Sequence, residues 1–354
     1  MGILRLAALL LVSGCAAHRV DLLVIAPHPD DEALLATGEM AKARALGKTV
    51  SVIIVTNGDF TCERDGYLRE AESVRALAKL DVKDVHFLGY PDGALSHLGH
   101  EPLDPIEHRD ANGECVARTG TYADRSEGRL DEHTERTGQP GEWTSDSLQE
   151  DLEALLKRLK PRAVVLPHFI DDHADHAATY MYFRRALERL HREPDSVLRG
   201  VVHAGACWPS DCKTFLSPLQ PMPPLPKPLG GYSPPVRHPI DAELKLDVLS
   251  TYISQAGADP ETDWLSSFAR ADEVFWPEDF ENFDDEETLL LPTVWNGYGL
   301  TATGVASPEG KTIRSWKETK HLTLRVRHLS AYDEVLAWGD EGFVAGWVTY
   351  KKAR

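Results

Sequence analysis

Short apolar runs alternate with helical patterns along most of this chain, and this alternation constrains the fold more than any other feature of the sequence. Strands that alternate with helices are typical of a parallel sheet with helices packed against it. We therefore predict an α/β fold with a Rossmann-like, mostly parallel sheet, helices on both of its faces and a small β-rich C-terminal extension. The predicted strands span 21–28, 49–59, 85–90, 163–168 and 200–207, and the predicted helices span 32–47, 67–80, 145–162, 176–191 and 241–255.

Three segments depart from this alternation. Residues 93–145 hold several histidines, glycines and charged residues with little periodicity, which indicates a long insertion that is either a functional lid or a tolerated surface loop. Residues 209–239 are rich in proline and predict an extended connector. Residues 276–354 contain five of the eight tryptophans in strand-like runs. We predict a Trp-rich β extension there and a main domain over 21–275.

The N-terminal residues have the pattern of an export signal. Arg5 precedes an apolar run that is shorter than the roughly 20 residues needed to span a bilayer. The run ends in VSGC, which resembles a bacterial lipobox, and the alternative is an ordinary signal peptide with a chance cysteine. On the lipobox interpretation, residues 1–14 are removed, Cys15 is lipidated and 15–20 form a linker. We therefore expect a lipoprotein of the bacterial cell envelope that meets the membrane only through its lipid anchor.

The other cysteines permit disulfides without defining them. Four of the five cysteines follow Cys15, and an even number in an exported chain is compatible with disulfide pairing. Pairing Cys207 with Cys212 and Cys62 with Cys115 is one of three connectivities, and all four thiols could also be free. No cysteine spacing matches a zinc site.

The charge of the chain limits its partners. The formal net charge is -18 and the sequence pI is about 5.3. An acidic surface repels a phosphate backbone, so we expect no nucleic-acid partner. There is also no Gly-x-Gly-x-x-Gly after the first predicted strand and no Gly-x-Ser-x-Gly elbow, which argues against a dinucleotide enzyme and gives no indication of a serine nucleophile.

Two segments rich in histidine and aspartate each follow a predicted strand. They are PHPDDE at 27–32 and PHFIDDHADH at 167–176. In open α/β sheets, ligands bind outside the carboxyl ends of the strands, so the two segments could meet in one cleft. His28 and Asp31 can point to one spot across a turn into a helix, and His173 and His176 share a face if their turn is helical. Such side chains suit a catalytic zinc, which usually has three protein ligands and one open position.

Each motif alone also has a structural explanation. Asp30 or Asp31 could cap the following helix or interact with its dipole, which contributes roughly 0.3–1 kcal/mol. An HxxH pair often lies on a solvated helix face. The joint occurrence of both motifs, each after an apolar strand, is harder to explain by capping. We therefore predict a metal site in which Asp31 binds the metal and Asp30 acts on water.

The paired motifs resemble those of the LmbE-like (PIG-L-type) N-acetylglucosamine deacetylases, which have a (P/A)HPDDE segment after the first strand and an HxDH segment after a later one. The resemblance covers roughly residues 20–275 and includes VTNGD, REAE, PDG and the K…YISQ helix. It implies that zinc is bound by His28, Asp31 and His176, although Fe²⁺ or Co²⁺ could occupy such a site.

The resemblance also implies roles for the neighbouring residues. Asp30 is the general base, and His173 stabilises the tetrahedral intermediate or protonates the leaving amine. Asp175 orients a histidine, while Arg69 and Asp92 contact the sugar. We expect His168 to be structural, and no firm role follows for Glu32.

The implied function is a zinc-dependent hydrolase that removes an N-acetyl group from an N-acetylglucosamine-type sugar or glycoconjugate. One alternative keeps the zinc but changes the substrate to another N-acyl amide. A second alternative is a non-catalytic, envelope-anchored glycan-binding lipoprotein. The presence of Asp30 beside the predicted ligands argues against the second alternative, because binding alone does not require a free carboxylate there.

Overall fold

The structure is a computed structural model of the chain. It describes five continuous stretches of the chain, which are 19–60, 63–103, 119–226, 235–256 and 259–278. Beyond residue 278 it describes only the backbone of six strands, at 285–290, 293–295, 300–302, 321–328, 332–339 and 342–349. The predicted signal and lipid anchor, Cys62 and Cys115 lie outside the described residues. Among the described helices, none is long and apolar enough to cross a membrane.

A seven-stranded mixed sheet forms the centre of the main domain. Its strands are β1 (Leu22–Ala26), β2 (Val50–Thr56), β3 (Asp84–Tyr90), β4 (Ala163–Pro167), β5 (Ser196–Gly200), β6 (Val236–Pro239) and β7 (Asp272–Glu278). The order in the sheet is β3-β2-β1-β4-β5-β7-β6. The strands from β3 to β5 pair in parallel, whereas β7 pairs antiparallel with both of its neighbours. The α/β fold with a mostly parallel sheet is therefore confirmed.

The helices form two groups around this sheet. They are α1 (Asp31–Ala45), α2 (Glu63–Lys79), α3 (Glu132–Thr137), α4 (Ser145–Leu159), α5 (Ala174–Arg189) and α6 (Ala242–Leu249). Helices α1 and α2 pack with α6, while α4 packs with α3 and α5. Right-handed crossovers put the helices of the β1–β3 half and of the β4–β5 half on opposite faces.

The sequences of the central strands explain this layering. Every residue of β1 (LLVIA) and of β2 (VSVIIVT) is buried. Strands that are covered on both faces have such near-continuous apolar runs, because neither face meets water. Helix α4 instead has one apolar face with buried leucines, and its N-cap Thr144 accepts a hydrogen bond from the Ser147 N–H. Burial on one side is typical of a helix that covers a sheet.

The fifth strand differs from its prediction. The strand predicted at 200–207 lies at Ser196–Gly200, and Val201 and Val202 are buried in the loop that follows. The apolar run therefore indicated burial but not extended pairing. The backbone N–H of Val202 donates to the Asp171 carboxylate at 2.7 Å instead of to a neighbouring strand. The prediction for 209–239 was also incomplete, because β6 occupies its end.

The predicted boundary at 275/276 falls inside a strand. Strand β7 crosses it, and Trp276 is buried in the main domain, with its ring 5.8 Å from that of His168. Beyond β7, the C-terminal strands predicted for the extension are present. They form an antiparallel pair, β9 (Thr293–Trp295) with β10 (Leu300–Ala302), and a four-stranded sheet ordered β13 (Gly342–Thr349), β12 (Tyr332–Gly339), β11 (His321–His328) and β8 (Asp285–Leu290).

The described part of the insertion packs against the main domain. Tyr122 is buried, and its backbone carbonyl accepts a hydrogen bond from the Asn57 side chain at 2.8 Å. Its hydroxyl donates to Asp59 at 2.7 Å, and Asp59 in turn accepts the N–H of Asp92. The insertion therefore supports the loop after β2 and the segment after β3.

A disulfide closes the loop after β5. It joins Cys207 to Cys212, five residues apart in sequence. This is one of the pairings that the sequence left open. It ties down a segment that begins a few residues beyond the carboxyl end of β5.

Candidate metal and catalytic site

The candidate site lies at the carboxyl ends of β1 and β4. These strands are neighbours, and the chain continues from β1 towards one edge of the sheet and from β4 towards the other. Such a switch point leaves a crevice in which α/β proteins bind ligands. The loop from β1 to α1 carries His28, and the loop from β4 to α5 carries His173, with His176 in the first turn of α5. The fold therefore brings the two predicted motifs together.

Three donor atoms form a compact triangle in this crevice. Nδ1 of His28 lies 3.0 Å from Oδ2 of Asp31 and 3.3 Å from Nε2 of His176. Nε2 of His176 lies 3.1 Å from the same Oδ2 of Asp31. All three residues are buried. They are the three residues that the sequence predicted as metal ligands.

The size of this triangle fits a small divalent cation. Zinc binds nitrogen and oxygen donors at roughly 2.0–2.2 Å, so two ligands of a tetrahedral ion lie roughly 3.3 Å apart. Two further triads that share His28, with His173 and His176 or with Asp92 and Asp175, have donor atoms within 4.8 Å of one another. The donor atoms of His28, Asp31 and His176 all lie within 3.3 Å of one another, and they combine two imidazoles with one carboxylate, as catalytic zinc sites do.

The second nitrogen of His28 meets two carboxylates. Nε2 lies 3.0 Å from Asp92 and 3.3 Å from Asp175. Asp175 is itself held by the backbone N–H groups of Gly93 at 2.7 Å and Leu95 at 3.0 Å. A carboxylate on the far nitrogen of a ligating histidine fixes the orientation and the tautomer of its ring. The carboxylate of Asp175 therefore contacts His28, and its predicted part in orienting a histidine stays a prediction.

His176 has a carboxylate partner that the sequence did not single out. Its Nδ1 lies 3.3 Å from Oδ2 of Asp171. The carboxylate of Asp171 also accepts the backbone N–H groups of His173 and Val202, at 3.0 and 2.7 Å. Asp171 therefore links the start of α5 to the segment beyond β5.

The carboxylates give the cluster a field that favours positive charge. Burial lowers the pKa of His28, but Asp92 and the other carboxylates raise it well above its usual value. Burial also opposes protonation of His176, yet Asp171 and Asp31 raise its pKa to about 10. Burial raises the pKa of Asp31, but the two histidines lower it well below its usual value. The carboxylates therefore favour the protonated form of both histidines, and so favour positive charge at this position.

Asp30 occupies the N-cap position of α1 without capping it. Its φ is 129°, and its side chain makes no cap hydrogen bond. Oδ2 of Asp30 instead accepts a hydrogen bond from Arg69 at 3.0 Å. Burial raises the pKa of Asp30 to about 7, against the opposing effect of Arg69. A strained backbone and a raised pKa are features of a carboxylate held for a purpose other than helix stability.

Glu32 holds this strained residue in place. Its carboxylate accepts the backbone N–H of Asp30 at 2.9 Å and the hydroxyl of Tyr252 at 2.7 Å. Glu32 is fully buried. The role that the sequence left open for Glu32 is therefore a hydrogen-bonding link between the motif and the segment after α6.

Arg69 and Asp92 are both buried beside Asp30 and His28. Arg69 is 7% exposed and donates to the carbonyl oxygens of Gly58 and Pro29, each at 3.0 Å, as well as to Asp30. Asp92 lies against His28 and 3.5 Å from Arg69. In the described structure both side chains support the catalytic cluster, and their contact with a sugar stays a prediction.

His173 has a defined tautomer. Its Nδ1 accepts the backbone N–H of Asp175 at 3.2 Å, which assigns the ring proton to Nε2. Burial and the neighbouring His28 and His176 lower the pKa of His173 to about 2. His173 is therefore a neutral hydrogen-bond donor. His168, in contrast, is buried among aromatic rings, with Nδ1 accepting the Ile170 N–H at 3.1 Å, as expected for a structural residue.

Residues 23–187 match the family described as PIG-L: GlcNAc-PI de-N-acetylase. They form a PIG-L domain. The resemblance that the paired motifs indicated is therefore confirmed, and the PIG-L domain contains every residue of the donor triangle. The match of these residues to the family supports a deacetylase, which is a hydrolase. A comparison with curated proteins found no match.

Several solved structures are similar to this chain, each with a TM-score below 0.5. The conserved protein TT1542 from Thermus thermophilus is 19% identical, with a TM-score of 0.44, and the match covers 72% of this chain and 93% of that one. N,N'-diacetylchitobiose deacetylase from Pyrococcus horikoshii is 16% identical, with a TM-score of 0.43, and the match covers 73% of this chain and 83% of that one. The zinc-inhibited form of teicoplanin deacetylase Orf2 is 17% identical, with a TM-score of 0.44, and the match covers 73% of this chain and 97% of that one.

One residue of the site was missed because of the misplaced strand. His203 lies just beyond β5, with its ring 4.9 Å from that of His176 and 5.2 Å from that of His173. The prediction of a strand over 200–207 put His203 in the middle of that strand. A histidine just after the carboxyl end of a strand is the signal that singled out His28, and a correct end for β5 would have identified His203 as well.

Proposed function

We propose that this protein is a metal-dependent N-deacetylase that hydrolyses the N-acetyl group of an amino sugar or glycoconjugate. The observation that carries the proposal is the triangle of His28, Asp31 and His176 with Asp30 next to it in sequence. The PIG-L family, described as GlcNAc-PI de-N-acetylase, supports both the reaction and an N-acetylglucosamine-type substrate.

The three donors would hold the metal, and zinc is the cation proposed. Two imidazole nitrogens and one carboxylate oxygen are typical ligands of catalytic zinc, although Fe²⁺ or Co²⁺ also accept them. A divalent cation bound there would polarise the acyl carbonyl and lower the pKa of a water molecule towards neutrality.

Asp30 is the proposed general base. Its carboxylate removes a proton from the attacking water, whose oxygen forms a bond to the acyl carbon. A pKa of about 7 suits this task, because the base is ionised near neutral pH and still holds the proton it receives. Arg69 keeps the carboxylate in place through its hydrogen bond to Oδ2.

His173 is the proposed donor to the developing oxyanion. Because its Nδ1 accepts the Asp175 N–H, its Nε2–H is the group that can donate to substrate. A neutral donor of this kind stabilises negative charge on the acyl oxygen without transferring its own proton. Of the two roles that the sequence left open for His173, this tautomer favours the first.

The reaction is completed when the C–N bond of the amide breaks. The proton that Asp30 took from water passes to the departing nitrogen, so that one carboxyl group serves as base and then as acid. The products are acetate and the free amine of the sugar. No bond to the protein forms at any stage, in agreement with the lack of a nucleophile elbow in the sequence.

Acetate release tests this function. The zinc-loaded protein is expected to release acetate and a free amine in equal amounts from N,N'-diacetylchitobiose or N-acetylglucosamine. Asp30→Asn is expected to retain zinc and to lose activity by about 10²–10⁴-fold, whereas Asp172→Asn, in the same loop as His173 but exposed, is the matched control. Wild-type activity in Asp30→Asn would remove the proposed base, and release only from non-sugar amides would favour the alternative N-acyl substrate.

A further inference from the structure

The rings of His173 and His203 lie next to the donor triangle on the side of β5. His203 is half-buried, as is His173, and its ring packs 4.9 Å from that of the buried His176. The rings of His173 and His203 are 5.2 Å apart. Both therefore lie on the more open side of the cluster, where a substrate group would enter.

The backbone of His203 is fixed while its ring remains available. Its N–H donates to Asp171 at 3.1 Å and its carbonyl accepts the N–H of Asp172 at 2.9 Å. Within the part of the chain that the structure describes, the ring nitrogens of His203 make no hydrogen bond. An imidazole has one donor and one acceptor when neutral, so this ring can bind a hydroxyl group in either sense.

Trp264 sets the orientation of that ring. The two rings stack with centroids 5.0 Å apart and planes 17° from parallel. The indole N–H of Trp264 donates to the carbonyl of Trp208 at 3.0 Å, and Phe268 packs edge-on at 5.0 Å. Trp264 therefore cannot turn away from His203 without losing a hydrogen bond and a ring contact.

The support continues into the disulfide loop. Trp208 is buried next to Cys207, and its indole N–H donates to the carbonyl of Pro224 at 3.2 Å. The bond between Cys207 and Cys212 closes the loop that presents the Trp208 carbonyl. The contacts thus run from the disulfide loop through Trp264 to His203 and the site.

We propose that His203 is a further substrate-binding residue, which hydrogen-bonds a hydroxyl of the sugar ring beside the N-acetyl group, and that Trp264 is the positioning residue for it. This inference rests on the proposed function, because it needs a hydroxylated N-acetyl substrate in the crevice. It assigns to the segment beyond β5 a part in recognising the sugar, separate from the chemistry of Asp30 and His173.

Two readouts test the inference. The first is calorimetric binding of N-acetylglucosamine to the zinc-loaded Asp30→Asn protein, which does not depend on turnover. The second is KM and kcat for acetate release from N,N'-diacetylchitobiose, with N-ethylacetamide as an amide that lacks the ring and its hydroxyl groups. His203→Ala is expected to weaken sugar binding and raise the sugar KM about five- to tenfold, with kcat and zinc content unchanged and the kinetics with N-ethylacetamide unaffected.

Conservative variants distinguish a loss of the His203 hydrogen bond or of its ring orientation from a loss of the folded structure. His203→Gln keeps a donor and an acceptor and is expected to recover most of the lost affinity. Trp264→Phe keeps a ring but loses the N–H to Trp208, so it should raise the sugar KM less than Trp264→Ala. His191→Asn, at an exposed turn beyond α5, is the control.

The outcomes distinguish this inference from the proposed function. Sugar binding by His203→Ala within twofold of the parent protein overturns the role of His203, even where the wild type releases acetate. Absence of any N-acetylglucosamine binding to the parent also overturns it. Failure of the wild type to release acetate from every amide refutes the deacetylase, while the calorimetry still decides whether His203 binds a sugar.

Discussion

Two nitrogen atoms of His28 contact the same carboxylate oxygen of Asp31. Oδ2 of Asp31 accepts the backbone N–H of His28 at 3.0 Å and lies 3.0 Å from Nδ1 of the same residue. The motif therefore folds onto itself as the chain turns from β1 into α1, and two donor atoms are in place before the second motif contributes. His176 then adds the third donor from α5.

Metal binding is expected to release protons. The neighbouring carboxylates raise the pKa values of His28 and His176 and so favour the protonated rings, and a cation must replace one proton on each protonated ring. Calorimetric titration with zinc in buffers of different ionisation enthalpy should give about two protons released per ion. Affinity should fall as the pH is lowered, because protons then compete better. Release of no protons would contradict this description of the cluster.

Activity is expected to depend on the ionisation of Asp30. Its pKa of about 7 means that the base is lost as the pH falls through 7, so kcat/KM should rise with pH and level off above that value. Arg69 lowers this pKa, so Arg69→Ala should move the rise to higher pH. Arg69→Lys keeps the positive charge and should move it less. An unchanged pH profile in Arg69→Ala would show that another group controls the rate.

Much of the fold and of the donor triangle could be predicted from the sequence. Strands β1 and β4 are continuous apolar runs; Pro27 and His28 follow β1, and β4 ends at Pro167, directly before His168. Because parallel strands end at the same edge of a sheet, the residues after them come together. That reasoning needs only local patterns and one rule of topology, and it grouped His28 with His176.

The rest depends on contacts that the sequence does not display. Glu32 meets Tyr252 across 220 residues, and His203 meets Trp264 across 61. The place of Arg69 was also not evident, because a buried arginine and a sugar-binding arginine look alike in a helical pattern. The strand at 200–207 was misplaced because buried valines in a loop have the same hydrophobicity as those in a strand.

The insertion is expected to stabilise the domain through its contact with β3. Gly89 has a φ of +78°, and an added Cβ would meet the backbone O and N atoms of Tyr122. Gly89→Ala should therefore lower the free energy of unfolding by about 2–5 kcal/mol. Gly128→Ala is the control, because its φ is +74° but nothing lies within 4 Å of the added atom; it should cost only about 1–2 kcal/mol. Equal losses in urea unfolding would mean that the contact with Tyr122 is not important.

Membrane attachment is expected to depend on Cys15. On the lipobox interpretation, its thiol carries the lipid, so Cys15→Ser should move the protein from the membrane fraction to the soluble fraction of cells that express it. Cys212→Ser, which removes the disulfide but not the lipid, should stay in the membrane fraction. Membrane association of Cys15→Ser equal to that of the wild type would reject lipidation at this position.

The identity of the metal ligands is the central claim, and X-ray absorption spectroscopy of the zinc-loaded protein tests it most directly. The triangle of His28, Asp31 and His176 predicts two imidazole rings and at least one oxygen donor at roughly 2.0–2.2 Å from zinc. Asp31→Ala should lose the carboxylate ligand and weaken zinc binding, while Asp30→Asn should leave the spectrum unchanged. Three imidazoles, as in a site of His28, His173 and His176, would contradict the account, and so would one imidazole with two carboxylates from Asp92 and Asp175.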